Sequence, residues 1–96
     1  MYGLIGRMLA NAGKREELLA IMLRGNAPMP GCRSYVIARD PASEDGLWIT
    51  EVWDSPEQHK ASLQLPHVQA TIAEARPLIA GFDQYIETEP LGGLGI

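Results

Sequence analysis

Glu51, Trp53, His59 and His67 fall within one short stretch, "EVWDSPEQHKASLQLPHV", and could together remove and hold a proton. Glu51 and Trp53 share a strand face with Ile49, because side chains alternate with period two. A carboxylate set into a largely apolar face has its pKa raised by burial and becomes a plausible proton acceptor. The alternative is a rim position, with Glu51 paired to Arg7, Arg33 or Arg39. Trp53 is either core or a flat surface with one N–H donor for an aromatic ligand. His67 follows Pro66 at a helical start. There the helix N-terminus favours the neutral imidazole, which can accept a phenol proton near pH 7; otherwise it faces solvent. His59, eight residues earlier, is a second contact candidate. Tyr35 could hydrogen-bond a ligand oxygen, and Asn11 is first a helix cap and second a ligand contact. No third ligand stands at helical spacing from either histidine, so no metal site is expected.

These residues need elements to position them. "MYGLIGRMLA" alternates as a strand, with Tyr2, Leu4 and Met8 on one side and Ile5 and Leu9 on the other. "GKREELLAIMLRG" then places Leu18, Leu19, Met22 and Leu23 on one helical stripe, with Asn11 as cap and Gly25 as stop. "NAPMPG" is loop, "CRSYVIARD" a second strand, and "PASEDG" a turn into a third strand, "LWITEVWD". Ser55-Pro56-Glu57-Gln58 forms a capping box with proline at the first helical position, so a helix starts there. Pro66 interrupts it, and helical spacing resumes through Val68, Ile72 and Ala75 until Pro77. "LIAGFDQYIET" is a fourth strand, with Phe82 and Ile86 expected on one face and Tyr85 on the other. The order predicts an α+β, ferredoxin-like βαββαβ arrangement: a four-stranded antiparallel sheet with its helices on one face. Leu47 and Ile49 are apolar on one parity of the third strand, Trp48 and Val52 on the other. Helices cover one face of a sheet. The second apolar face predicts a homodimer joined through the sheets.

Ninety-six residues amount to one domain, with a core over about 2–88 and a glycine-rich tail over 89–96. Eight Lys and Arg, scattered against twelve Asp and Glu, give a net charge of −4 and no basic run to meet the phosphates of nucleic acid. No apolar run approaches the ~20 residues of a membrane helix, and the N-terminus lacks the pattern of a signal peptide. Cys32 is the single cysteine. It forms no internal disulfide and reads as small apolar filler in a reducing cytoplasm.

"ANAGKREELLAIM", "PGCRSYVIARDP" and "EVWDSPEQHKASLQLPHVQA" together resemble the antibiotic biosynthesis monooxygenase domain family of small dimeric α+β barrels. The shared features are a glycine-lysine turn opening the first helix, Pro-Gly before a strand with a central tyrosine, and Glu-x-Trp closing the third strand. The resemblance runs over roughly residues 2 to 88. It implies an oxygenase that needs no metal or flavin and acts on a small quinol, phenol or enol, as the quinol monooxygenases do. The family's haem degraders use an Asn, a Trp and a His, and those places here are Gly6, Ser62 and Ile72. Haem degradation is therefore not implied. Of the two histidines many members carry, the second matches His67, while the first falls on Ser62, one turn from His59. The expected roles are Glu51 or His67 as base, and Trp53 and Tyr35 as donors and stacking surface. Two other functions stay open: a non-catalytic small-molecule binding module, and an isomerase or tautomerase on a polar metabolite, held by Arg33, Arg39 or Arg76.

Overall fold

A computed structural model describes residues 1–96. The chain runs through β1 (Tyr2–Ala10), α1 (Arg15–Arg24), β2 (Cys32–Arg39), β3 (Gly46–Trp53), α2 (Pro56–Ser62), α3 (Pro66–Ala75), a 3-10 turn at Arg76–Leu78 and β4 (Ile79–Thr88). The four strands form one antiparallel sheet in the order β2-β3-β1-β4. This is the α+β, ferredoxin-like fold that the element order predicts.

Parity along β1 and β3 sets the two faces. Tyr2 pairs with Trp53, Leu4 with Glu51, Gly6 with Ile49 and Met8 with Leu47. Cross-strand partners point the same way, so this face meets the helices. Leu4, Met8, Leu47, Ile49 and Trp53 are buried there, together with Leu18, Leu19, Ile21 and Met22 of α1 and Ala75 of α3. The helical stripe differs from expectation by one residue, because Ile21 is buried and Leu23 is exposed. The opposite sheet face carries Ile5, Trp48, Val52, Val36 and Ile86, with Val36 53% and Ile86 47% exposed.

Two local readings are corrected. Asn11 is not the cap of α1. The chain first turns through Gly13 (φ +76°), and the residue preceding the helix is Lys14, which makes no side-chain cap bond. The Asn11 carbonyl closes that turn by accepting from the Lys14 N–H (2.9 Å), and its Nδ2 donates to the Pro77 carbonyl (2.9 Å), joining the ends of β1 and the 3-10 turn. Phe82 and Ile86 do not share a face either. Gln84 pairs with Arg7 but Phe82 with Met8, so Asp83 is an extra residue in β4 and parity reverses across it. Phe82 thus joins Met8 on the helix side, while Ile86 lies opposite Ile5 on the other side.

The strand-to-helix corner follows its sequence signal. Ser55 is extended, Pro56 occupies the first turn, and the Ser55 hydroxyl accepts from the Gln58 N–H at 3.2 Å. The Ser55 carbonyl accepts from the His59 N–H at 3.3 Å. That cap fixes where α2 begins, and so where His59 points. Arg15 secures the β2-β3 turn from below, its guanidinium donating to the carbonyls of Asp40, Ser43 and Gly46.

Candidate active site

Glu51 sits on the helix-facing side of β3, where its neighbours in register are Leu4 of β1 and Tyr35 of β2. A carboxylate in that layer loses its hydration, and burial raises its pKa above the ordinary glutamate range. The Trp53 N–H bond and the His59 charge oppose that rise. None of Arg7, Arg33 and Arg39 reaches it. Arg7 pairs with Asp40 (3.0 Å) and Asp83 (2.6 Å), Arg33 with Asp54, and Arg39 with Glu16.

Two side chains hold one end of Glu51. Trp53, fully buried, donates its Nε1–H to Oε1 at 2.9 Å. His59 Nε2 lies 3.8 Å from the same Oε1, an ion-pair distance too long for a hydrogen bond. The His59 ring stands edge-on to the Trp53 indole, with centroids 5.4 Å apart and planes at 69°. On its other side it leans on the Tyr2 ring at 5.9 Å. Tyr2 is itself tied to Glu87 by a 2.7 Å hydrogen bond. The Trp53 hydrogen bond and the His59 approach both fall on Oε1, which leaves Oε2 as the acceptor that can meet a ligand.

That carboxylate faces a cavity of about 310 Å³ between the sheet and the helices. Its wall is mostly hydrocarbon. Helix α2 contributes His59 and Ser62 from one side, and α3 contributes Val68, Thr71, Ile72 and Ala75 at helical spacing. Tyr35 enters from β2, and its phenol is held well above its ordinary pKa, first by burial and then by the charge of Glu51. It stays a neutral donor. No Lys or Arg lines the cavity, and no three His, Cys, Asp or Glu side chains converge as a metal ligand set.

Of the residues singled out in the sequence, Glu51, Trp53, Tyr35 and His59 are brought together here. His67 and Asn11 are not: both are exposed and outside the cavity wall. For His67 the reason is rotational. The inward stripe of α3 is set by Val68, Ile72 and Ala75, and His67 falls one position off it. Trp53 also acts differently from expectation, since the N–H that a ligand was expected to receive is committed to Glu51. Sequence reasoning passed over Met8, Met29, Thr71 and Phe82 as lining residues. Phe82 reaches the wall only through the irregularity at Asp83, which no periodicity marks. Ser62 is buried, and its hydroxyl donates to the His59 carbonyl at 2.6 Å, stiffening the turn that carries the imidazole.

Residues 1–74 match the family model of antibiotic biosynthesis monooxygenases. A crystal structure from Chloroflexus aurantiacus, described as a "putative antibiotic biosynthesis monooxygenase", is 61% identical over 99% of this chain and 97% of that one, with a TM-score of 0.94. Similarly described proteins share the fold at lower identity. The one from Deinococcus radiodurans is 22% identical over 100% of this chain and 98% of that one (TM-score 0.78). The one from Nitrosomonas europaea is 14% identical over 96% and 100% (TM-score 0.84). Comparison with curated proteins finds no match. The sheet order, the corner at Ser55 and the cavity behind Glu51 thus belong to a chain that is a member of the antibiotic biosynthesis monooxygenase family.

Proposed function

We propose that this protein is a cofactor-independent monooxygenase that oxidises a small, neutral aromatic phenol, quinol or enol with O₂, with Glu51 as the base. The observation that carries the reading is the Glu51 carboxylate: buried, pinned at Oε1 by Trp53, free at Oε2, and facing an apolar cavity. Raising a carboxylate's proton affinity moves it toward the acidity of an activated phenol or enol, which is what a general base needs.

The chemistry asked of the protein is small. Glu51 takes the substrate proton, and the resulting anion gives one electron to O₂. The two radicals combine to a peroxide, which recovers the proton. Loss of water then leaves a carbonyl, with one oxygen atom in product and the other in water. Tyr35 opposite Glu51 is the donor for the developing oxyanion. An engineered apolar cavity of ~150 Å³ accepts benzene, so the present volume suits about two fused rings.

The absence of cations from the wall weighs against the isomerase reading, because a phosphorylated metabolite would enter a cavity with a carboxylate and no counter-charge. The reading includes a homodimer through the apolar outer sheet face of Ile5, Val36, Trp48, Val52 and Ile86, supported by that face's composition. No helix is long and apolar enough to cross a membrane. Cytoplasmic residence is part of the same proposal and rests on the single free cysteine.

The test is O₂ uptake with a panel of reduced naphthoquinones and anthrone-like phenols, with chelator present and spontaneous autoxidation subtracted. Turnover without any added cofactor is expected. Saturable binding of several panel members with no turnover would replace the enzyme with a binding module.

A further inference from the structure

Three of the four methionines, Met8, Met22 and Met29, line the cavity. Thioethers make an adaptable apolar wall, but unlike leucine or isoleucine they are also oxidisable. The three are not equivalent. Met8 and Met22 lie in the core, 7% and 9% exposed. Met29 is only half-buried, on the loop between α1 and β2. That loop is packed down at its end, since a Cβ on Gly31 would lie 2.3 Å from Cδ of Gln58 on α2.

Met29 also borders a second, more open hollow of about 300 Å³, where its neighbours include Asn26, Cys32, Arg33 and Ser34. Met29 and Tyr35 are common to both spaces, so Met29 stands in the wall between an apolar cavity and a more polar hollow open to solvent. The adjacent Cys32 is a weak competitor for oxidants. Burial first, and then the charge of Glu51, push its thiol pKa up, and the reactive species is the thiolate.

We propose that Met29 is an oxidative modification site for small hydroperoxides, and that its sulfoxide closes the cavity to apolar ligands. The sulfur lone pair attacks one peroxide oxygen, the S–O bond forms as the O–O bond breaks, and the departing oxygen leaves as water or alcohol. The thioether is oxidised by two electrons and the peroxide is reduced. The new oxygen adds bulk and a strong dipole to a wall that is mostly hydrocarbon, and any bond it accepts from the Tyr35 phenol takes that donor from a ligand, so an apolar ligand and the sulfoxide compete for the space. A source of peroxide rests on the monooxygenase reading: O₂ reduced without oxygen transfer leaves the quinol as quinone and releases H₂O₂. The modification itself needs only reagent peroxide.

The experiment treats the protein with tert-butyl hydroperoxide, maps added oxygen by peptide mass, and follows 2-naphthol binding by its fluorescence. Oxygen should be gained at exposed Met1 and at Met29, with Met8 and Met22 spared. Affinity should fall on the order of tenfold as Met29, not Met1, is converted. Methionine sulfoxide reductase should restore binding, and in Met29→Leu, whatever its starting affinity for 2-naphthol, the peroxide should cause no further loss. Oxidation of Met8 or Met22 as fast as Met29 would overturn the assignment, as would equal loss of binding by Met29→Leu. If untreated protein fails to bind 2-naphthol, the closing effect falls while the peptide map still decides the site. Binding that is intact with no quinol turnover would remove the monooxygenase reading alone.

Discussion

The Trp53 indole N–H donates to Oε1 of Glu51 at 2.9 Å, from two residues further along the same face of β3. A tryptophan and a glutamate at that spacing form a carboxylate with one oxygen fixed and one free. The same bond opposes the desolvation that raises the Glu51 pKa. Trp53→Phe removes the donor and keeps most of the ring. Glu51 should then become a stronger base, and the acidic limb of the kcat/KM profile should move to higher pH. A stability loss of about 1–3 kcal/mol should accompany it, for a well-packed indole replaced by a smaller ring. An unmoved pH profile would mean that the bond does not tune the base.

Glu51→Gln should separate activity from stability. Turnover should drop by ~10²-fold or more, the usual share of a positioned base. Stability should change in the opposite direction. The folded-state pKa of Glu51 is raised, so folding binds its proton more tightly than the unfolded chain does. Its contribution to stability is therefore present below the usual glutamate value of about 4 and lost as pH rises through the raised folded value. At pH 7 the charged form is a burden that the amide relieves. The variant should exceed the parent at pH 7 by about 0.5–2 kcal/mol, in the range of single stabilising changes, and the two should converge near pH 4. Urea denaturation at both pH values reads this out. A less stable variant at pH 7 would mean that the carboxylate is better solvated than its place behind the helices implies.

The two histidines should divide cleanly. His59 lies 3.8 Å from Glu51 and against Trp53, whereas His67 is exposed at the start of α3. His59→Ala should lower turnover by ~10-fold or more, a smaller loss than removal of the base itself. His67→Ala should leave turnover within about twofold and stability within ~0.5 kcal/mol, as surface changes do. The reverse ranking would move the proton acceptor out of this cavity.

How far this site could be read in advance depended on the range of the interactions that build it. Ser55-Pro56-x-Gln58 is a local signal, complete within four residues, and it places the start of α2 where the structure has it. The parity of Leu47 through Trp53 likewise needs only the period of a strand, and it puts Glu51 and Trp53 on one face. His59 and His67 could not be ranked that way. Which side of a short helix turns inward is set by packing against a sheet that the helix's own sequence does not contain. Asn11 reads locally as a cap for the helix that follows it, but its side-chain partner is the Pro77 carbonyl, far along the chain. Phe82 differs from its expected face because one extra residue at Asp83 reverses parity between Gln84 and Phe82, and only pairing with Arg7 and Met8 reveals the shift.

The outer sheet face supplies the last prediction. Ile5, Trp48 and Val52 lie there in the centre of the sheet, with Val36 and Ile86 on the flanking strands. Arg7 crosses it over the Trp48 ring at 5.9 Å and joins Asp40 to Asp83, so the charge on this face is already paired within one chain. A second copy can approach without leaving a guanidinium stranded. Standard stable interfaces bury about 1,600 Å² in total, roughly 800 Å² from each partner, so the dimer would have to engage all four strands of this face. Equilibrium sedimentation at micromolar concentration should therefore show a particle of two chains. Val36 and Ile86 are about half exposed in the single chain, so Val36→Lys with Ile86→Lys should leave the fold intact, which circular dichroism can verify. In the dimer the same lysines would meet their copies across an apolar layer, and the variant should sediment as one chain. A parent protein that sediments as a monomer would leave the apolar parity of β3 without a partner. A lysine variant that stays dimeric would place the interface elsewhere.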